Sequence, residues 1–165
     1  MLWSHGLDFR HGQFSLATVE AHETMILWMS AIMFIAMVLI QVFAMPYVMA
    51  ETPADVFFSL TQVYMGAFMG AAMVLAMGVT HTLPWWLWIL AAAVAAAAVF
   101  AYRRQLFVTD RQYLRDMIPH HSMALVTSAP RLTSSDPIVQ RLAEQITASQ
   151  RREIAEMKHR LRSVS

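Results

Sequence analysis

The stretch TMILWMSAIMFIAMVLIQVFAM, residues 24–45, decides the fold class. It carries no charge, and at 1.5 Å rise per residue it is long enough to cross a bilayer core as a helix. A second uncharged stretch, VFFSLTQVYMGAFMGAAMVLAMGV, covers residues 56–79. A third, 84–104, opens on Pro84-Trp85-Trp86-Leu87-Trp88 and meets no charge before Arg103-Arg104. The whole chain of 165 residues is 58% hydrophobic, with a mean hydropathy of +0.46. Such a composition predicts an integral membrane protein rather than a soluble domain. The expected fold is all-α: three transmembrane helices (about 24–45, 56–79 and 84–104) followed by a C-terminal helical hairpin over 105–165.

The punctuation between these stretches supports that division. Pro46 is expected to end or kink the first span. Residues 46–56 form a short acidic connection in which Thr52-Pro53 reads as a helix start. The second span contains Gly66-x-x-x-Gly70 with Ala67, Ala71 and Ala72, small residues that let membrane helices approach closely. The link Thr80–Leu83 is so short that the third span must lie antiparallel beside the second. Trp85, Trp86 and Trp88 form an interfacial aromatic belt.

Charge is segregated along the chain. Residues 1–102 hold one basic side chain, Arg10, and five acidic ones, a net −4. Residues 103–165 hold eleven basic and six acidic, a net +5. Three spans put the termini on opposite sides. The basic cluster Arg103, Arg104, Arg111 and Arg115 then places the C-terminus in the cytoplasm and the N-terminus outside, in a bacterial inner membrane. Residues 1–23 are polar and read as an exposed segment with His5, His11 and His22, either a solvated tail or a collector of cations. No cleavable signal peptide is expected, because the apolar run that follows is too long for one. There is no cysteine, so disulfides and thiolate metal sites are excluded.

Beyond Arg104 the chain reads as a hairpin. One helix is expected from about Thr109 to Ser128 and a turn through Pro130 to Ser135. Asp136 then caps a second helix with Pro137 at its first position. Ile138, Leu142, Ile146, Ile154, Met157 and Leu161 give that helix one apolar face. Two such helices bury little surface alone, so a homo-oligomer, dimer or trimer, is expected.

Two methionine series mark the spans. Met25, Met29, Met33 and Met37 recur every four residues. Gln41 takes the next slot, and the count continues at Met45 and Met49. Met65, Met69, Met73 and Met77 repeat the pattern, with His81 in the following slot. Residues four apart are neighbours on a helix surface. Thioether and imidazole are soft or borderline ligands that suit Cu(I). Methionine is also an apolar gap-filler, so the same stripe suits plain packing. A spacing of four drifts by about 40° per step, so from Met65 to His81 the series rotates by roughly 160° on a straight helix. All ten methionines between residues 25 and 77 nevertheless fall on the two series.

The densest local constellation is Met117-Ile118-Pro119-His120-His121-Ser122-Met123. On a helix Met117 shares a face with His120 and His121, and Pro119 would bend the backbone there. Gln150, Glu153 and Met157 share a face of the second helix. Facing helices would then offer methionine, histidine and a carboxylate to one ion, against the plainer reading of two solvated histidines. Glu156-x-x-His159 has the spacing of half a di-iron motif, but a single copy makes no site. No nucleophile–base pair and no glycine-rich phosphate loop is present. An enzyme is therefore not expected, and neither is nucleic-acid binding. The basic tail suits contact with anionic lipid heads.

Residues 110–161 resemble the "domain of unknown function 305" family, which includes CopM-like copper-binding proteins and is related in fold to ferritin-like helical bundles. The resemblance is carried by Asp110, Tyr113-Leu114, Met117-Ile118-Pro119-His120-His121, Ala124, Leu142-Ala143, Ile146, Gln150, Glu153-Ile154, Met157 and Leu161. It implies copper binding by Met117, His120, His121 and Met157, with Met123 as a further ligand. The chain departs from the family at Thr127, where many members have methionine, and at Arg160, where they have tryptophan. Members are often exported, which conflicts with a cytoplasmic tail. The membrane part is similar in pattern to Ctr-type copper transporters, which also have three spans and a Met-x-x-x-Met motif in the second, here Met65 and Met69. Together these features lead to the expectation of a membrane Cu(I)-binding protein serving copper transport or homeostasis. The alternative is a sensor, store or assembly subunit that moves nothing across the membrane.

Overall fold

The structure is a computed structural model that describes residues 16–163, with side chains from residue 20 onward. His5 and His11 lie outside the described residues; His22 is exposed. The described residues are helical and contain no strand. In order they form α1 (Leu16–Leu39), α2 (Met45–Met49), α3 (Leu60–Thr80), α4 (Trp85–Arg104), α5 (Asp110–Ser128) and α6 (Pro137–Ser163). Three helical stretches are long and apolar enough to cross a membrane: Glu20–Met49, Leu60–Thr80 and Trp85–Arg104.

The first stretch runs further than the proline suggests. Pro46 does not end it. Residues Ile40–Ala44 instead take a π turn, and the Met45 amide donates to the Ile40 carbonyl. Proline removes one amide donor and its ring crowds the preceding turn. A wider turn just before it absorbs that conflict and lets the helix resume as α2, with Pro46 buried at its start. Ala50 closes α2 by donating to the Pro46 carbonyl at 3.0 Å. The Thr52-Pro53 pair opens only a single 3-10 turn, Pro53–Asp55.

The second stretch starts later than expected, because a capping box sets its boundary. The Ser59 side chain accepts from the third helical amide, and its own amide donates to Gln62 Oε1 at 3.2 Å. Val56, Phe57 and Phe58 therefore stay outside the helix. The third helix matches its expected limits. It stops at Gln105, which adopts a left-handed conformation (φ 50°). There the Leu106 amide returns to the Ala101 carbonyl at 3.0 Å, so the last turn is closed although no glycine is present.

α3 lies between α1 and α4. Its glycines explain the close crossing with α1. A methyl group at Gly66 would stand 3.0 Å from the Val38 Cα, and one at Gly70 would stand 2.8 Å from the Phe34 ring. Val74, Leu87 and Ala91 form the buried contact on the α4 side.

Both helices of the hairpin start at capped residues. Thr109 accepts from the Gln112 amide at 3.3 Å, and Asp136 Oδ1 accepts from the Ile138 amide at 2.8 Å. Ile118, Leu125 and Ile154 make its core, with Phe57, Met157 and Leu161 against it. Phe57 comes from the connection between α2 and α3, so the hairpin is seated on the helix bundle of its own chain. Ile138, Leu142 and Ile146 of the α6 apolar face remain exposed.

Candidate metal centre

What holds the hairpin in place is polar. Asp55, 4% exposed, accepts from Thr52 Oγ1 at 3.1 Å and Ser122 Oγ at 3.0 Å, and it is paired with Lys158. Burial raises the Asp55 pKa, but the hydrogen bonds from Lys158 and Ser122, the Lys158 charge and the Thr52 hydroxyl outweigh it. The carboxyl is held below its ordinary value. Ser122 also accepts from the Glu51 amide at 2.6 Å, and Glu51 meets Arg151 at 3.4 Å. One turn along the connection, Ser59 donates to Asp116 Oδ1 at 2.6 Å. Thus residues 51–59 are tied to both hairpin helices, and the N-terminal half of α5 is brought down onto α2 and the start of α3.

At that contact lies a cavity of about 70 Å³. Met45 and Met49 of α2, Met65 of α3, and Asp116, Pro119 and His120 of α5 line it, together with Gln41, Thr61, Gln62 and Tyr102. Its size suits an ion or a couple of waters, and it is several-fold too small for an organic ligand. Asp116 is 5% exposed and has its second oxygen 4.0 Å from His120 Nε2. Two groups each about 2 Å from a shared ion stand roughly 3–4 Å apart, so this separation suits either a common ion or a carboxylate set beside a ligating ring.

The π turn contributes to this geometry. It places one extra residue in a turn, so the drift of the i+4 series is locally taken back between Met37 and Met45. Met45 and Met49 then sit one turn apart on the side of α2 that meets α5. Pro119, buried in α5, allows close backbone approach at the same level.

The other sequence candidates are placed differently. His120 and His121 diverge by about 100° around α5. His121 Nδ1 meets Glu153 Oε2 of α6 at 2.8 Å, and neither residue lines the cavity. Met157 is packed beside the Ile118–Leu125–Ile154 core, Met117 is half-buried and Met123 is exposed. Met25 and Met29 are exposed on α1, whereas Met33 and Met37 are half-buried. On α3, Met69 is exposed and Met73 and Met77 are half-buried. His81 caps the far end of α3 in the open, donating its amide to the Met77 carbonyl at 2.9 Å. Met65 and His81 are thus separated by about 24 Å of helix. Among the described residues no three His, Asp or Glu side chains gather as a metal-binding group.

Residues 109–165 match the model of the family described as Domain of unknown function (DUF305). The hairpin resembles that family. The match covers α5, the turn and α6, and so includes His120, His121, Glu153 and Met157. A curated relative, an uncharacterized protein of Acanthamoeba polyphaga mimivirus, is 42% identical over 82 residues, which is 49% of this chain and 51% of that protein. The chain thus spans about half the length of that relative. No solved structure matches the chain. These matches do not show the likeness of the membrane part to Ctr-type transporters.

Sequence reasoning did not single out Asp116, Asp55, Ser59, Ser122 or Lys158. Met45 and Met49 were visible as the continuation of the first series, and that continuation past Gln41 and Pro46 was the usable signal.

Proposed function

We propose that this chain is an integral membrane protein that binds Cu(I) through methionine and histidine where its hairpin meets its membrane helices. The observation that carries the reading is the shared cavity of Met45, Met49, Met65 and His120. Three thioethers and an imidazole form a donor set that selects a soft monovalent ion over hard divalent ones. The buried Asp116 carboxylate offsets the charge of the bound cation in a wall whose other polar groups, Gln41, Thr61, Gln62 and Tyr102, are uncharged side chains. The hairpin side adds His121, paired with Glu153, as a second and weaker place for the metal, with Met117 four residues before His121 and Met157 four residues after Glu153. The three apolar helices hold the cavity at a membrane surface. The basic C-terminal half orients that surface toward the cytoplasm, and a homo-oligomer would enclose the exposed methionine faces.

Titration of the full chain in detergent micelles against a chromophoric Cu(I) chelator tests the binding. One tightly held Cu(I) per chain is expected, weakened by roughly ten- to a hundred-fold in His120→Ala. Release of all Cu(I) to the chelator by the unsubstituted chain would overturn the reading.

Transport is the more demanding form of this function. Weak, repeated thioether ligation along Met65, Met69, Met73 and Met77 would allow both uptake and release. Met69→Leu with Met73→Leu is then expected to lower Cu(I) flux into proteoliposomes. Unchanged flux favours the second reading, a sensor, store or assembly subunit, which the exposure of Met69 and His81 also suits.

A further inference from the structure

A second cavity, of about 480 Å³, opens beside the start of α5 and the end of α6. Arg111 and Arg115 line it from one helix, and Lys158 and Arg162 from the other. Among the described residues its lining includes four basic side chains and no acidic one. Each pair is spaced four apart, so like charges are set side by side on each helix and then faced across the gap. Lys158 is already paired with Asp55, so the unfavourable like-charge contact falls on Arg115 and Arg162. Its natural complement is an anion with several acceptor oxygens, which guanidinium groups bind in bidentate fashion. Phe57 and Leu161 supply an apolar wall.

The location narrows the anion. α5 starts only a few residues after α4 ends at Arg104, and Leu106 and Phe107 of the intervening turn are exposed, Phe107 by 87%. An exposed phenylalanine just past the end of an apolar helix, four residues before Arg111 of the basic pocket, marks the level of lipid headgroups. We propose that this cavity binds the phosphate headgroup of an anionic phospholipid, with Arg115 and Arg162 as its main anchors. Phe57 and Leu161 would lie along the glycerol and the first acyl carbons. The proposal rests on the reading that Trp85–Arg104 crosses a bilayer, and is independent of copper. Because Phe57 also belongs to the hairpin core and Lys158 to the Asp55 pair, a lipid seated here would strengthen the docking of the hairpin.

The test uses the full chain in uncharged detergent, titrated with short-chain phosphatidylglycerol, short-chain phosphatidylcholine and inorganic phosphate, with bound lipid counted by native mass spectrometry. One phosphatidylglycerol per chain is expected. Its affinity should fall at least ten-fold in Arg115→Gln with Arg162→Gln, recover in Arg115→Lys with Arg162→Lys, and decline with added salt. Copper stoichiometry should be the same in all three proteins. Equal binding of phosphatidylcholine, binding of inorganic phosphate as tight as that of the lipid, or affinity untouched by the glutamine pair would each overturn the assignment. If the glutamine pair fails to fold, the salt dependence and the preference for phosphatidylglycerol over phosphatidylcholine decide on the unsubstituted chain. A chain that stays dispersed without detergent would instead overturn the membrane reading beneath it.

Discussion

At the hairpin end of the helix bundle, Met45, Met49 and Met65 share a cavity with His120 and a buried carboxylate. At the other end, about 24 Å along α3, His81 caps the helix in the open with Met77 half-buried one turn below it. Both ends therefore carry methionine and histidine at helical spacing. They differ in what surrounds those residues. The hairpin end has a network of buried hydrogen bonds from Glu51, Asp55 and Ser59 to Ser122, Lys158 and Asp116, which fixes a third helix over the thioethers. The far end has Gly78 against Trp88, and His81 there is exposed. Spacing alone places side chains on one face. A scaffold that brings a second and a third element to that face is what gathers ligands into a site.

The largest way to break this contrast is Asp55→Ala. It leaves Lys158 without its partner in a setting only 28% exposed and takes the acceptor from Ser122. A loss of about 3 kcal/mol is expected in the seating of the hairpin, seen as faster hydrogen exchange of α5 amides with α3 and α4 unaffected. Unaltered protection of α5 would show that Asp55 is not what holds it.

Gly66→Val attacks the helix crossing itself. Its side chain meets the Val38 Cα and the Gln41 Cβ, so α1 and α2 must move away from α3. About 2 kcal/mol of destabilisation is expected, and with it the separation of Met45 and Met49 from Met65. Thermal unfolding in detergent measures the first, and Cu(I) affinity the second.

Acid sharpens the comparison without a substitution. The Asp55 carboxyl is held below its ordinary value of 3.8. Stability from its pairing is therefore present above that value and lost as pH falls through the lower folded-state one. Hydrogen exchange compared at pH 6 and pH 3 is expected to show α5 and α6 loosened together at the lower pH, ahead of the apolar helices. The smallest effect is that of Asp136→Ala, which removes only the cap of α6 and is expected to cost about 1 kcal/mol. Fraying should be confined to the first turn, with copper binding retained.

Much of the architecture was legible in the residues. Three uncharged runs gave the three long apolar helices, Pro84 and the tryptophans marked the start of α4, and Asp136-Pro137 marked the start of α6. The boundaries that moved did so for local reasons. Pro46 acts through a π turn rather than a stop, and Ser59 with Gln62 starts α3 four residues after the apolar run begins. The site was less legible because its parts are distant in sequence. His120 and His121 read as a pair along the chain, yet one turns to α2 and the other to Glu153. Nor does any pattern in the sequence announce that Asp55 and Lys158, 103 positions apart, will meet.

The direct test of the central claim compares the two ends by X-ray absorption on the Cu(I)-loaded full chain. Met49→Leu with Met65→Leu is set against Met73→Leu with Met77→Leu. Loss of sulfur from the copper shell in the first pair, with the second unchanged, is the expected result. Sulfur ligation that survives the first pair and disappears in the second would place the metal at the far end and contradict it.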